Sequence, residues 1–556
     1  MLKVIISKTG HKTALYNNIH IHSKIDPQRE AEKYLLSRFS LSNQPGVIIL
    51  LFPGLNYLYE ELKKNFPVSR IIIIHNNSEL YDYSVASELS DSDAVWHPEC
   101  GIPLKTFLYD KISETDVKSL TTISWEPVIK AFPAEAKSIS SVVAQVLTEY
   151  NSNISTTSHF GKRCLKNIIR NMARLESIVS IKKIDKPVVI TGSGPSLEKS
   201  IPFLKAAKNN IFLIALSSSC SILKFHGILP DLVLTTDPGY YASVHLDYCI
   251  NQELIISSPL SANNGKSGRN PFLLINQGTF LEEYFFNNIK LPYFRLNPNG
   301  TVAGSALFLA SLVTEMPVIL AGIDFCSQDI KTHSRPHSFE RFLNNCVTRV
   351  NPLLDIYYNQ AVNNYPDKLG VKPNCRVSRQ LSAYSGWFNS TIFKESCYRL
   401  NPSPVRIDSL KTLTNNDALE MVESFVYTGE NSFDIFNKNS TKSANRSDTS
   451  KNGIYFSINK IDKKIYIENI KILQNNLLTA LENRLTNISA ESIIHQLKSG
   501  FDKDILYYFD TYGYLELISL MNKNMLMELK EKYKALIKKC ISFFVKEFAK
   551  TRVLNG

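Results

Sequence analysis

The stretch Lys186 to Leu197, KPVVITGSGPSL, constrains this chain more than any other. Val188, Val189 and Ile190 form an apolar, β-branched run, the pattern of a strand buried on both faces. Gly192, Ser193 and Gly194 end it in a turn that needs residues without a bulky Cβ. Pro195 and Ser196 suit a helix start, with Ser193 or Ser196 as cap and Leu197, Ile201 and Leu204 as the apolar face. Strand, glycine turn and helix N-terminus together offer backbone N–H groups to a phosphate. An ordinary strand-to-helix connection has the same look, so the functional reading depends on the stretches that follow.

Those stretches repeat the alternation. IFLIAL (211–216) reads as a strand ending in Ser217, Ser218 and Ser219. PDLVLTTDP (230–238) reads as a third, with Thr235, Thr236 and Asp237 at its carboxyl end. Ligands of doubly wound sheets bind beyond the carboxyl ends of the strands, where these small polar groups collect. Gly300 and Thr301 open a helix whose next residues, Ala303, Gly304, Ser305 and Ala306, are small enough for close ligand approach. Pro317 to Leu320 is a further strand, followed by Gly322 and Asp324. Asp324 can accept from a ribose hydroxyl, bind a cation or cap the next element. Lys331, Thr332, His333, Ser334, Arg335, Pro336 and His337 then form a polar loop with two histidines and two cations. Tyr384, Trp387 and Phe388 read as core or lid packing.

The flanking regions differ. Residues 1–150 read as a separate α/β unit, with buried strands at 46–52, 70–75 and 93–97 and an amphipathic helix at 55–66. Its Pro53-Gly54 turn has one glycine where a dinucleotide fingerprint has three, and is read as structural. A polar helical stretch at 137–180 bridges to the next domain. Residues 437–453 are polar and read as a linker. The end of the chain is helical, with Leu526, Leu529, Tyr533, Leu536, Cys540 and Phe544 at helical spacing. Nine Lys or Arg against three acids between 523 and 552 read as a solvated basic face rather than a docking surface.

At 556 residues three domains are expected: 1–150, 151–425 and 426–556. MLKVII reads as a strand rather than a secretory leader, no apolar run reaches membrane-span length, and the nine cysteines are scattered without a CxxC pair. A cytoplasmic protein with free thiols is expected. The net charge, 63 − 51 = +12, suits polyanionic partners such as nucleotide-sugars, nucleic acid or acidic membrane surfaces, without choosing among them. No groove-reading motif or aromatic RNA platform accompanies it, so nucleic acid is not expected as a partner. No clustered His/Asp/Glu set calls for a metal.

In this order, GSGPSL (192–197), DLVLTTDP (231–238), GTVAGSAL (300–307) and AGIDF (321–325) followed by KTHS (331–334) resemble the motility-associated factor (Maf) glycosyltransferases of flagellated bacteria. The central domain of that family is itself similar to bacterial sialyltransferases that use CMP-sugars and to the pterin pyrophosphokinase MptE. The resemblance implies an N-terminal Rossmann-like α/β domain, a central doubly wound, sialyltransferase-like catalytic domain and a C-terminal all-α domain. It implies transfer of a nonulosonic acid, pseudaminic or legionaminic in type, from its CMP-activated donor to Ser or Thr of flagellin, with no further cofactor and no metal. Gly192, Ser193, Gly194, Pro195 and Ser196 would face the donor phosphate. Thr301, Gly304 and Ser305 would lie near the cytidine and ribose, with Ser217, Ser218 and Asp324 at the same site. Lys331 and Arg335 would neutralise the leaving phosphate. His333 or His337, with Asp237 as the alternative, would take the acceptor's proton. PGLNY at 53–57 departs from the glycine-richer turn of the family. A magnesium- and ATP-dependent pterin pyrophosphokinase, or a non-catalytic flagellin-binding protein, is the alternative.

Overall fold

The computed structural model describes residues 2–39, 44–84, 90–249, 254–263, 272–289, 291–296, 300–362, 365–366, 374–391, 393–426, 455–486, 488–522 and 525–551. The chain divides into two compact units, Met1–Lys162 with Leu478–Phe544, and Arg163–Leu477 with Val545–Gly556. The boundary after Lys162 falls inside the 41-residue helix Pro133–Ala173. The linker read at 437–453 lies outside the described residues.

The first unit is built on a parallel sheet of β1 (Val47–Leu51), β2 (Arg70–Ile74), β3 (Ala94–Trp96) and β4 (Leu120–Ser124), in the order β3-β2-β1-β4. Its two central strands, VIILL and RIIII, are apolar and buried on both faces apart from Arg70 at the edge of the second. Gly54, in the turn after β1, has φ +64° and packs against the His22 ring, so the glycine serves packing there. The helix Gly500–Phe509 and residues 526–544 of the helix Leu526–Ala549 group with this unit. Leu529, Tyr533, Leu536, Cys540 and Phe544 form the buried stripe that the spacing predicts. A buried polar node sits beside it: Asp502 pairs with Arg484 and accepts from the Tyr533 hydroxyl at 2.6 Å.

The second unit holds an eight-stranded, wholly parallel sheet. Its strands are β5 (Val188–Thr191), β6 (Phe212–Leu216), β7 (Leu232–Thr235), β8 (Ile255–Ser257), β9 (Phe272–Leu273), β10 (Val318–Ala321), β11 (Cys397–Leu400) and β12 (Lys411–Leu413). They lie in the order β9-β8-β7-β6-β5-β10-β11-β12. From β5 the chain winds outward to β9, then returns to place β10 on the other side of β5, with Ile190 beside Leu320. The carboxyl ends of β5 and β10 therefore flank the topological switch point, the expected ligand crevice of such a sheet. α1 (Leu197–Ala207) follows β5, α2 (Val302–Val313) precedes β10, and α3 (Glu340–Asn345), α4 (Leu353–Val362) and α5 (Arg379–Ser390) come between β10 and β11. Leu197, Ile201 and Leu204 are buried under α1, as their spacing requires. All nine cysteines are free thiols. Among the described residues, no helix is long and apolar enough to cross a membrane.

Candidate functional site

At the end of β5 the glycine turn is laid against the end of β10. Gly192 N–H donates to the Ala321 carbonyl at 2.9 Å, and Gly194 N–H to the Gly322 carbonyl at 2.7 Å. A Cβ on Gly194 would stand 2.5 Å from Asp324 Oδ2, so only glycine allows this approach. The Ser196 amide donates to Asp324 Oδ2 at 2.7 Å and its hydroxyl to Oδ1 at 2.6 Å. Ser403 donates its hydroxyl to the same Oδ1 at 2.7 Å. Behind Asp324 lies the buried Arg399, whose guanidinium donates to the Ile323 and Val405 carbonyls. Burial lowers the Arg399 pKa to about 10, against the pull of Asp324, so it remains a cation.

These bonds correct the sequence reading of the turn. The amides of Gly192, Gly194 and Ser196 do not face a phosphate; they are taken up inside the protein, and Pro195 has none. An anion does sit at the start of α1, but it is the Asp324 carboxylate, which complements the helix dipole. Asp324 is 2% exposed with both oxygens bonded inside the protein, and the cation whose charge it acts on is Arg399. Neither serine caps α1 by the usual side-chain bond; the Ser196 hydroxyl goes to Asp324 instead.

The 331–337 loop is fastened to the same turn. Ser334 N–H donates to the Ser193 carbonyl at 2.8 Å. Glu198, in the first turn of α1, pairs with Lys331 Nζ at 2.7 Å and accepts from the Arg335 amide at 2.9 Å. Lys331 is thus paired with Glu198. The Arg335 guanidinium lies 4.2 Å over the Tyr357 ring and 3.9 Å from Glu340.

Past this fastening the loop borders a cavity of about 380 Å³, walled by His333, His337, Arg335, Tyr241, Phe342 and Tyr357 among others. His333 stacks on His337 with centroids 4.1 Å apart and planes 17° apart. His337 meets His245 edge-on at 5.4 Å, and His245 Nδ1 bonds to the Ser338 hydroxyl. Burial lowers the pKa of His333 and His245 to about 4 and that of His337 to about 2; for His337 and His245 a neighbouring histidine adds to the fall. All three rings are neutral at pH 7. His333 Nδ1 lies 3.1 Å from the Thr332 hydroxyl.

The other sequence-named residues lie at neighbouring strand ends. Ser217 and Ser218 sit in a 3₁₀ turn after β6, but Ser219 makes the link, with its hydroxyl 3.0 Å from the Thr191 carbonyl. Asp237 is exposed after β7, and one of its oxygens accepts from Gly239 N–H at 2.6 Å, an ordinary turn bond. Thr301 caps α2, accepting from Gly304 N–H at 2.8 Å, and the Ser305 hydroxyl reaches the Thr301 carbonyl at 3.3 Å. A Cβ on Gly300 would lie 3.6 Å from the Tyr384 ring, and the Asp237 charge helps raise the Tyr384 pKa, after burial. So Asp237, Tyr384 and the start of α2 are neighbours, while His333, His337 and Arg335 share the cavity.

Sequence reasoning missed His245, Tyr241, Phe342 and Tyr357, which carry no motif. It missed Glu198 too, although an acid in the first turn of a helix was a readable signal.

Residues 162–329 match the family described as 6-hydroxymethylpterin diphosphokinase MptE-like. That segment holds the glycine turn and Asp324 but stops before His333. An uncharacterized protein of Treponema pallidum (strain Nichols) is 25% identical over 329 residues, 56% of this chain and 67% of its own. A second from the same organism is 24% identical over 36% of this chain, which spans 37% of that protein's length. Among solved structures, one described as a MAf glycosyltransferase from Magnetospirillum magneticum AMB-1 superposes with a TM-score of 0.62 at 12% identity, covering 100% of this chain and 93% of that one. Over its whole length the chain therefore shares the fold of a Maf glycosyltransferase, with an MptE-like segment at its centre.

Proposed function

We propose that the chain is a glycosyltransferase that moves a nonulosonic acid, pseudaminic or legionaminic in type, from its CMP-activated form to Ser or Thr hydroxyls of flagellin. The observation that carries this reading is the full-length likeness to the Maf glycosyltransferase, joined to a neutral histidine at the wall of a cavity beside the switch point.

The transfer breaks the bond between the anomeric carbon and the phosphate oxygen, and the electron pair leaves with CMP. The acceptor oxygen forms the new bond and gives its proton to a base. His333 is that base: its ring is unprotonated at pH 7 and borders the cavity. A donor phosphate entering nearby would favour the imidazolium and raise the His333 pKa toward neutrality, where proton acceptance is most effective. Since Asp324 already fills the N-terminus of α1, the donor phosphate goes to the start of α2, where Thr301 caps a 12-residue helix beside Tyr384 and Asp237.

The test is the purified chain with CMP-nonulosonate and flagellin, followed by intact mass. A gain of one or more nonulosonate masses supports the proposal, and unmodified flagellin with intact donor sinks it. His333→Ala should lower turnover by roughly 10²–10⁴-fold with CMP binding nearly unchanged; equal turnover would remove His333 from the role. The MptE-like match favours a second reading, a pterin pyrophosphokinase. It requires ATP- and magnesium-dependent diphosphorylation of a hydroxymethylpterin. Flagellin that binds but keeps its mass in the presence of donor would leave the non-catalytic alternative.

A further inference from the structure

The histidine-walled cavity is small, and its wall carries no net charge. At about 380 Å³ it lies near the lower end of ligand pockets. Its one cation, Arg335, stands 3.9 Å from its one anion, Glu340, and its histidines are neutral. A CMP-activated nonulosonate brings a phosphate and a carboxylate, and burying either needs opposing charge. The cavity supplies none beyond the paired Arg335, and Lys331 outside it is held by Glu198.

The rim is aromatic and open. Tyr241 is 55% exposed and Phe342 is 49% exposed, with ring centroids 5.8 Å apart. The apolar surface continues beyond it: α3 has no buried residue, Val350 is 86% exposed, and Leu354 and Tyr358 are exposed on α4. Aromatic residues standing open around a neutral pocket mark a place where another molecule docks.

We infer that this cavity receives the acceptor and not the donor: a segment of the acceptor protein in which the modified Ser or Thr stands beside an aromatic or branched aliphatic side chain. That side chain enters between Tyr241, Phe342 and Tyr357 and sets the hydroxyl against His333. Charge complementarity selects this occupant, because an uncharged apolar segment loses nothing in a wall without net charge. The inference rests on the glycosyltransferase reading and adds to it which substrate the cavity takes and which residues choose it.

The experiment uses the full chain, CMP-nonulosonate and two peptides of equal length, one with Ser between Phe and Leu and one with Ser between Asp and Asn. Glycopeptide mass reports transfer, and CMP release without peptide reports donor use. The expected result is a KM for the apolar peptide about tenfold below that for the polar one, with Phe342→Ser and Tyr241→Ser each raising the former about tenfold. The effect should fall on the acceptor KM and not on the donor KM, and Phe342→Trp, which keeps an aromatic rim, should restore it. Equal use of the two peptides, or a Phe342→Ser change confined to the donor KM, would overturn the inference while leaving the transferase reading standing. Absence of both CMP release and transfer by the unaltered chain would remove the reading and the inference together.

Discussion

Asp324 shows how one side chain decides what a glycine turn can do. Its carboxylate receives three hydrogen bonds, from Ser196 N–H, Ser196 Oγ and Ser403 Oγ. Asp324→Asn would put an amide NH₂ where one oxygen now accepts, opposite the Ser196 N–H, which cannot accept, or opposite the two serine hydroxyls, which would have to turn round, and would remove the negative charge that acts on Arg399. We expect a loss of about 2–4 kcal/mol of stability, read as a lower unfolding temperature by calorimetry. Gly194→Ala should cost about 1–3 kcal/mol, because the new Cβ meets Asp324 Oδ2 at 2.5 Å and the Gly322 carbonyl at 2.7 Å; an unchanged melting curve would show that the two strand ends can separate freely. The stacked histidines give a pH dependence whose sign follows from the proton balance. Unfolded histidine binds a proton near pH 6.5, whereas folded His333 and His245 do so only near 4 and His337 near 2. The unfolded chain therefore holds more protons across that window, and stability falls as pH drops below about 6.5. His333 is partly exposed, so its share is the smallest. His337→Phe, which keeps a flat ring, should make the unfolding temperature less steep between pH 6.5 and 4; an unaltered slope would mean that His337 protonates without cost.

At the scale of elements, the strap between α1 and the 331–337 loop is the feature to probe. Glu198→Gln should free Lys331 and weaken the hold on the Arg335 amide, and hydrogen exchange at Ser334 and Arg335 should quicken while β5 stays protected. The same elements show what a sequence can and cannot disclose. The β5 turn, the strands ending at Thr235 and Ala321, and the helix opening at Thr301 were all legible, because each is a local switch from a continuous apolar run to small or polar residues. The partner of the turn was not. Asp324 was read as a ribose acceptor, a cation ligand or the cap of the next element, yet it bonds to Ser196, at the head of a helix 128 residues earlier. The cavity wall was half legible: His333 and His337 stood out in a polar loop, but His245 and Tyr241 arrive from the segment after β7, which carries no spacing signal. Pairings of this kind are set by sheet order, and β10 lies beside β5 only through the long excursion between them.

For the molecule as a whole, residues 478–544 group with the first 162 residues. The Tyr507 hydroxyl donates to Glu114 at 2.7 Å, and the Arg484–Asp502–Tyr533 node lies within the same unit. A chain ending at residue 477 should therefore lose hydrogen-exchange protection in β1 and β2 more than in β5 and β6; equal loss in both units would contradict the grouping. The seat of Asp324 also has a bearing on biosynthesis. Its partners Ser196 and Ser403 lie 128 residues before it and 79 after. Ser403 follows β11, so a nascent chain carries every strand from β5 to β11 before that knot of hydroxyls can close.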